Sequence, residues 1–326
     1  MMVLLFLAVG CDPNFEPGSL LTKPRILAAK VQLEHDPYGS WPLPEEAMDI
    51  TWLSVDPFHA PAFEWVFGAC VPLPTFSGSQ LCQSVPFGLS QGEGAMPRYA
   101  LTAPDTATLG DANHILIAGI VCAHGELVFE SDQSMGALAA SPDVFRSLDE
   151  LVQCRGPDAE RLLVTLKVPI RTGAEQNHHP VLDGVPIYFD YQTWPVTESD
   201  FPGTTCTQEE KDRGAVLTSG KKSINIRLAF DGQEREFYHL LGAPGSSARE
   251  LLQLSHLTTA GKFERQFSIV ESTAPDDTAV DVKWILPQEE EGSQEPRRVM
   301  FYFIARDRRG GVGWAVRSIC VPSVLE

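Results

Sequence analysis

Basic residues are scarce in this chain: 25 Lys and Arg stand against 43 Asp and Glu, a formal net charge of −18 over 326 residues. Such a surface repels nucleic acid, so no nucleic-acid partner is expected. Also missing is any apolar run near the roughly 20 residues that a spanning helix needs. HExxH, GxSxG, GxGxxG and Walker-type loops do not occur, which removes the usual signals of zincins, nucleophile-elbow hydrolases and nucleotide binders. No two cysteines are spaced as CxxC, so a zinc knuckle or a thioredoxin-like redox pair has no support. No cofactor, no metal site and no catalytic residue are expected from these signals.

What the chain does have begins at its start. Met1 to Gly10 carry no charge and include the apolar run Val3-Leu4-Leu5-Phe6-Leu7-Ala8-Val9. The run has the length of the apolar region of a secretory signal. Ala8-Val9-Gly10-Cys11 resembles the lipobox of bacterial lipoproteins, although Ala8 stands where that family most often has Leu and no basic residue opens the segment. The resemblance implies a signal peptide over residues 1–10 and a lipidated Cys11 that holds the protein to a bilayer. Asp12-Pro13-Asn14-Phe15-Glu16-Pro17-Gly18-Ser19 is rich in breaker residues, so residues 11–24 read as a tether. Fully stretched, such a tether reaches roughly 40 Å.

With Cys11 set aside, Cys70, Cys82, Cys122, Cys154, Cys206 and Cys320 make an even set. In an exported chain an even set reads as disulfides. Sequence permits many connectivities, and locality favours Cys70 with Cys82, Cys122 with Cys154, and Cys206 with Cys320.

The remainder reads as strands. Ser223 to Phe230, Leu162 to Ile170 and Val280 to Trp284 alternate apolar and polar residues, the pattern of a half-buried strand. Ile115 to Cys122 and Val299 to Ala305 are nearly continuous apolar runs, the mark of central strands. Along the latter, Val299, Phe301 and Phe303 should share one face and Met300, Tyr302 and Ile304 the other. Two apolar faces require cover on both sides. Ala248 to Leu254 fits a helix or a strand and turn. One helix is expected near residues 142–154, from Pro142 and Asp143 at its start and Val144, Leu148, Leu151 and Val152 at helical spacing.

These signals predict a mostly β chain of two Ig-like β-sandwich domains in tandem, over residues 25–171 and 181–326. The polar stretch 172–180, with Glu175, His178 and His179, reads as a solvated linker; neighbouring histidines on extended chain point opposite ways and do not chelate together. The final stretch FYFIARDRRGGVGWAVRSICV resembles the closing hairpin of Ig-like and PKD-like domains of exported bacterial proteins. Its turn, Arg306, Asp307, Arg308 and Arg309, is a possible binding loop for an anionic glycan or an envelope protein. Ser219-Gly220-Lys221-Lys222 satisfies an SxxK spacing but lacks the companion motifs of acyl-enzymes. Asp276-Asp277 reads as a turn, and Gln288 to Glu295 as an exposed loop.

The function expected from this reading is an exported, lipid-anchored, non-enzymatic binding or scaffolding protein of the bacterial envelope, at the outer membrane or cell surface. The alternative is a lipid-anchored hydrolase whose catalytic groups are dispersed along the chain.

Overall fold

A computed structural model describes residues 17–73, 82–83, 85–130, 148, 150–171, 173, 175–182, 184–195, 206–230, 235–239, 247–274, 278–287 and 297–321. Cys11, Asp276-Asp277 and the loop from Gln288 to Glu295 lie outside the described residues.

Strands dominate, and among the described residues the strands pair with one another antiparallel, while Leu20 adds an isolated parallel bridge to Thr258. In the first half, β1 (Arg25–Leu33), β2 (Ala47–Val55) and β5 (Arg98–Thr102) form one sheet in the order β1-β2-β5. Facing it, β3 (Phe63–Cys70), β4 (Phe87–Gly94), β6 (His114–Ala123) and β9 (Glu160–Pro169) form a second, ordered β4-β3-β6-β9. Between the two lies an apolar core in which Trp52 stacks on Phe67 at 4.2 Å. Pro169 ends β9, an edge strand, where a residue without an N–H leaves no ladder partner unserved. A small hairpin of β7 (Glu126–Phe129) and β8 (Val152–Arg155) covers the outer face of β3 and β6.

The second half repeats the layering. One sheet runs β11-β10-β12-β18-β16, from β10 (Ile187–Phe189), β11 (Gln192–Thr193), β12 (Ser223–Ala229), β16 (Lys262–Phe263) and β18 (Ala279–Ile285). The other runs β17-β15-β19-β20, from β15 (Leu252–Thr258), β17 (Phe267–Val270), β19 (Arg297–Arg306) and β20 (Val312–Val321). A two-stranded ribbon pairs β13 (Phe237–His239) with β14 (Ser247–Arg249). Phe189, Trp194, Trp284 and Phe301 meet mostly edge-to-face in this core, the arrangement that ring quadrupoles favour. The open segment 248–254 is thus strand, a short break and strand.

Helix is minor. α1 (Thr106–Leu109) is capped by the Asp105 carboxylate, which accepts from the Thr108 N–H at 2.7 Å. α2 (Gln208–Thr218), which sequence reading missed, lies on β20. Its approach is possible because Gly214 has no side chain: a Cβ there would come within 1.6 Å of the Cys320 carbonyl oxygen. The helix expected near 142–154 needs correction at its end. Leu148, Glu150 and Leu151 are helical, but Val152 already belongs to β8, and the rest of the segment lies outside the described residues. Pairing with β7 and the bond from Cys154 to Cys122 hold Val152–Arg155 extended against its helical spacing.

Three disulfides are present: Cys70 to Cys82, Cys122 to Cys154, and Cys206 to Cys320. They fit folding in an oxidising compartment, extracellular or periplasmic. Among the described residues, no helix is long and apolar enough to cross a membrane.

The two halves touch. Met300, Tyr302 and Ile304, on the outer face of β19, pack with Ala28, Leu53 and Val55 of the first half and with Leu21, which lies buried in the segment read as a tether and bonds through its N–H to the Thr258 carbonyl. Val299, Phe301 and Phe303 face the second core. Both faces of β19 are covered, one by its own sandwich and one by its neighbour.

Candidate functional site: the junction between the two halves

The turn that joins β19 to β20 is folded around one carboxylate. Asp307 Oδ1 accepts from the N–H groups of Arg309 at 2.6 Å and Gly311 at 2.9 Å, and Oδ2 accepts from Asn177 Nδ2 at 2.6 Å. Arg308 and Gly310 take the left-handed conformations of the turn, with φ of 64° and 111°. Gly311 serves another purpose, since a Cβ there would lie 2.1 Å from the Asp307 carboxylate.

This turn is a joint and not an open tip. Arg306 donates to the Leu27 carbonyl at 2.6 Å and to Ser255 Oγ at 3.1 Å, tying the hairpin to β1. Arg309 pairs with Glu175 at 2.9 Å and Glu236 at 3.3 Å, and its guanidinium lies over the rings of Trp41 and Tyr238. Of the four residues read as a possible binding loop, only Arg308 is exposed. The others are committed to partners within the chain.

The expected linker is likewise part of the structure. Asn177 and His179 are buried, which corrects the solvated reading of that stretch. His178 and His179 do point apart. His178 Nδ1 lies 2.5 Å from Glu236 Oε1 and its Nε2 lies 3.3 Å from Asp36. His179 inserts between the halves: Nε2 donates to the Val31 carbonyl and Nδ1 accepts from the Val312 N–H at 2.9 Å. Those partners define the neutral tautomer, and burial pushes its pKa down to about 4.

Glu250 completes the polar core of the joint. Burial, and then the neighbouring Asp307 charge, pushes its carboxyl up to about 8, and burial also raises that of Asp307. Paired carboxylates can serve acid–base catalysis, but Glu250 is 1% and Asp307 3% exposed, which leaves no route for a substrate. Nor does the SxxK spacing assemble a buried nucleophile: Ser219 and Lys222 are both exposed, on the turn between α2 and β12.

Beside the joint lies a cleft of about 250 Å³ between the halves. Its floor is a row across one sheet, Lys30 on β1, Thr51 on β2 and Arg98 on β5, which the strand register sets side by side. Tyr38 and Trp314 also line it. Among the described residues neither Lys30 nor Arg98 has an ion-pair partner, although the chain is rich in carboxylates. Two cations set side by side in a cleft suit an anionic group. Sequence reading passed over them because their alignment depends on strand register.

A separate grouping of Asp56, His59 and His124, also not singled out from the sequence, brings metal-ligating atoms together where β2 ends and β6 turns.

No family model matches the chain, and no curated protein matches it. A crystal structure of red sea bream transglutaminase aligns over 91% of this chain at 8% identity with a TM-score of 0.24. The aligned region is 32% of the length of that chain, and a likeness so low carries no argument about fold or activity.

Proposed function

We propose that this protein is an exported, lipid-anchored binding or scaffolding protein of the bacterial envelope, held by Cys11 at the outer membrane or cell surface. The observation that supports binding over catalysis is the junction itself. Its carboxylates, histidines and arginines are spent on one another, and the accessible chemistry beside them is the Lys30–Arg98 cleft. That cleft suits an acidic group of an envelope polysaccharide or protein. The lipobox resemblance supports the anchor, and the disulfides agree with export. One acyl chain binds a bilayer only marginally, so stable anchoring calls for several on Cys11.

Expression in a bacterial host with mass analysis of the mature N-terminus tests the anchor. An acylated Cys11 is expected, and a free Met1 terminus on membrane-free protein would overturn it. Retention of the purified protein on immobilised polygalacturonate tests the cleft. Binding should weaken with salt and be lost in Lys30→Glu/Arg98→Glu; retention equal to that variant would remove the anionic-ligand reading.

A further inference from the structure

The segment Asp56-Pro57-Phe58-His59-Ala60-Pro61-Ala62 carries the chain from β2 to β3, and its shape follows from its first residue. Asp56 is 1% exposed, and its Oδ1 accepts from the N–H groups of Phe58 at 2.9 Å and His59 at 3.1 Å. That Asx turn folds the segment back on its own carboxylate. It sets His59 Nδ1 3.6 Å from Asp56 Oδ1.

The third member arrives from a different part of the chain. Strand register pairs Phe63, the first residue of β3, with Ala123, the last of β6. The residue before Phe63's strand and the residue after Ala123 are therefore neighbours in space, and the residue after Ala123 is His124. His124 takes a left-handed φ of 56°, a conformation that among residues with a side chain Asn, Asp and His enter most readily.

The side chains converge. His124 Nε2 contacts Asp56 Oδ2, and both atoms are buried with no partner in ordinary hydrogen-bond geometry. His59 closes over them, its ring 4.6 Å from that of His124 at an interplanar angle of 68°. One ligand-type atom from each of the three residues lies within 4.8 Å of the others. A tetrahedral zinc with bonds of about 2.0–2.2 Å needs its ligand atoms roughly 3.3 Å apart, so small side-chain adjustments bring all three into range.

We propose that Asp56, His59 and His124 bind one divalent transition-metal ion of the zinc class. Two imidazoles and one carboxylate suit zinc, cobalt or nickel, whereas calcium and magnesium take oxygen ligands. Asp56 Oδ2 and His124 Nε2 form the enclosed side of the site, and His59, 64% exposed, forms the side open to solvent. A fourth position there is left for water or for a donor group of a ligand. Phe58, next to His59, also lines a groove of about 690 Å³ with Leu21, Lys262 and Arg297. The ion would pin the segment that forms this wall. The net charge of −18 adds a general attraction for cations.

The test uses the full disulfide-bonded chain, freed of metal with a chelator and titrated with Co2+, then Zn2+. One equivalent of cobalt with the visible bands of a four- or five-coordinate ion, displaced by zinc, is expected. His59→Ala, at an exposed position that does not hold the fold, should weaken binding by about tenfold or more. His124→Asn, which keeps a residue tolerant of the left-handed turn, and Asp56→Asn, which keeps the Asx turn, should abolish it with circular dichroism unchanged. His178→Ala, altering a histidine at the junction, should bind as wild type. Absence of saturable binding, or binding that His59→Ala and His124→Asn leave unchanged, would overturn the proposal.

Discussion

The Nδ1 atom of His179 accepts a hydrogen bond from the backbone N–H of Val312 at 2.9 Å, and its ring spans the gap to β1 through the Val31 carbonyl. A protonated imidazole has no lone pair to offer Val312, so the joint requires the neutral form. The folded-state pKa, about 4, lies below the ordinary 6.5 because burial penalises the charge; the hydrogen bond to the Val31 carbonyl and the Asp36 charge oppose this, and Lys30 and His178 add to it. The unfolded chain therefore binds a proton first as pH falls. Stability from this group is fully present above about 6.5 and is lost as pH falls toward about 4, by on the order of 3 kcal/mol. Buried His256, also pushed down to about 4 by burial, adds to the same window. Melting temperature followed from pH 7 to pH 4 should show a decline, and His179→Gln should remove about half of its slope. An unchanged slope in that variant would contradict the role given to His179.

Glu250 should act in the opposite sense. Its folded pKa of about 8 lies above the ordinary 4.5, so between those values the folded state keeps a proton that the unfolded state has released. This group's contribution is complete below about 4.5 and declines as pH rises to about 8. Glu250→Gln keeps the shape without the ionisation and should stabilise the protein at pH 8 by roughly 1–3 kcal/mol, with little effect at pH 4.5. Denaturant titrations at the two pH values check this, and equal effects at both would exclude a protonated Glu250.

Arg309 combines two ion pairs with stacking between Trp41 and Tyr238. Removing it takes a partner from Glu175, which is partly exposed, and leaves Glu236 to His178, and it also strips the cation from Trp41 and Tyr238, so Arg309→Ala should cost about 1–2 kcal/mol. Arg309→Lys should recover little, because an ammonium lacks the planar fork that lies over both rings and reaches both carboxylates. Chemical denaturation gives the stability, and quicker proteolysis within residues 171–180 should report a loosened joint.

The bond from Cys206 to Cys320 closes a sequence separation of 114 residues and ties the entry to α2 to the last strand. On the loop-entropy account its loss should cost about 4–5 kcal/mol. Cys206→Ala/Cys320→Ala should lower the denaturation midpoint of the second sandwich while leaving the Cys122–Cys154 bond formed. A loss below about 1 kcal/mol would mean that packing of α2 on β20 holds the strand without the bond.

Some of this protein is local and therefore readable along the chain. Period-2 alternation in Ser223–Ala229 and the apolar run in Val299 to Ala305 specify strands, because side chains on extended backbone alternate between faces whatever lies beyond them. The doubly apolar face of Val299–Ile304 even required a covering neighbour. Two cysteine pairs, Cys70–Cys82 and Cys122–Cys154, are near neighbours along the chain, where closure costs the least entropy, and Cys206–Cys320, with a separation of 114, is the pair that remains. What covers β19, by contrast, is decided by tertiary structure: no pattern in Met300, Tyr302 and Ile304 names Leu21, Ala28 and Leu53 as the opposing surface. The same holds for α2, whose docking turns on one glycine against a distant carbonyl, and for Val152, where pairing with β7 overrides helical spacing. The Arg306–Arg309 turn looks like a solvent-facing tip by composition, and the docking of the two halves makes it a joint. Asp56, His59 and His124 are unremarkable in sequence because 65 residues separate His124 from His59. The β3–β6 register brings them together, and register is a property of paired strands, not of either strand alone.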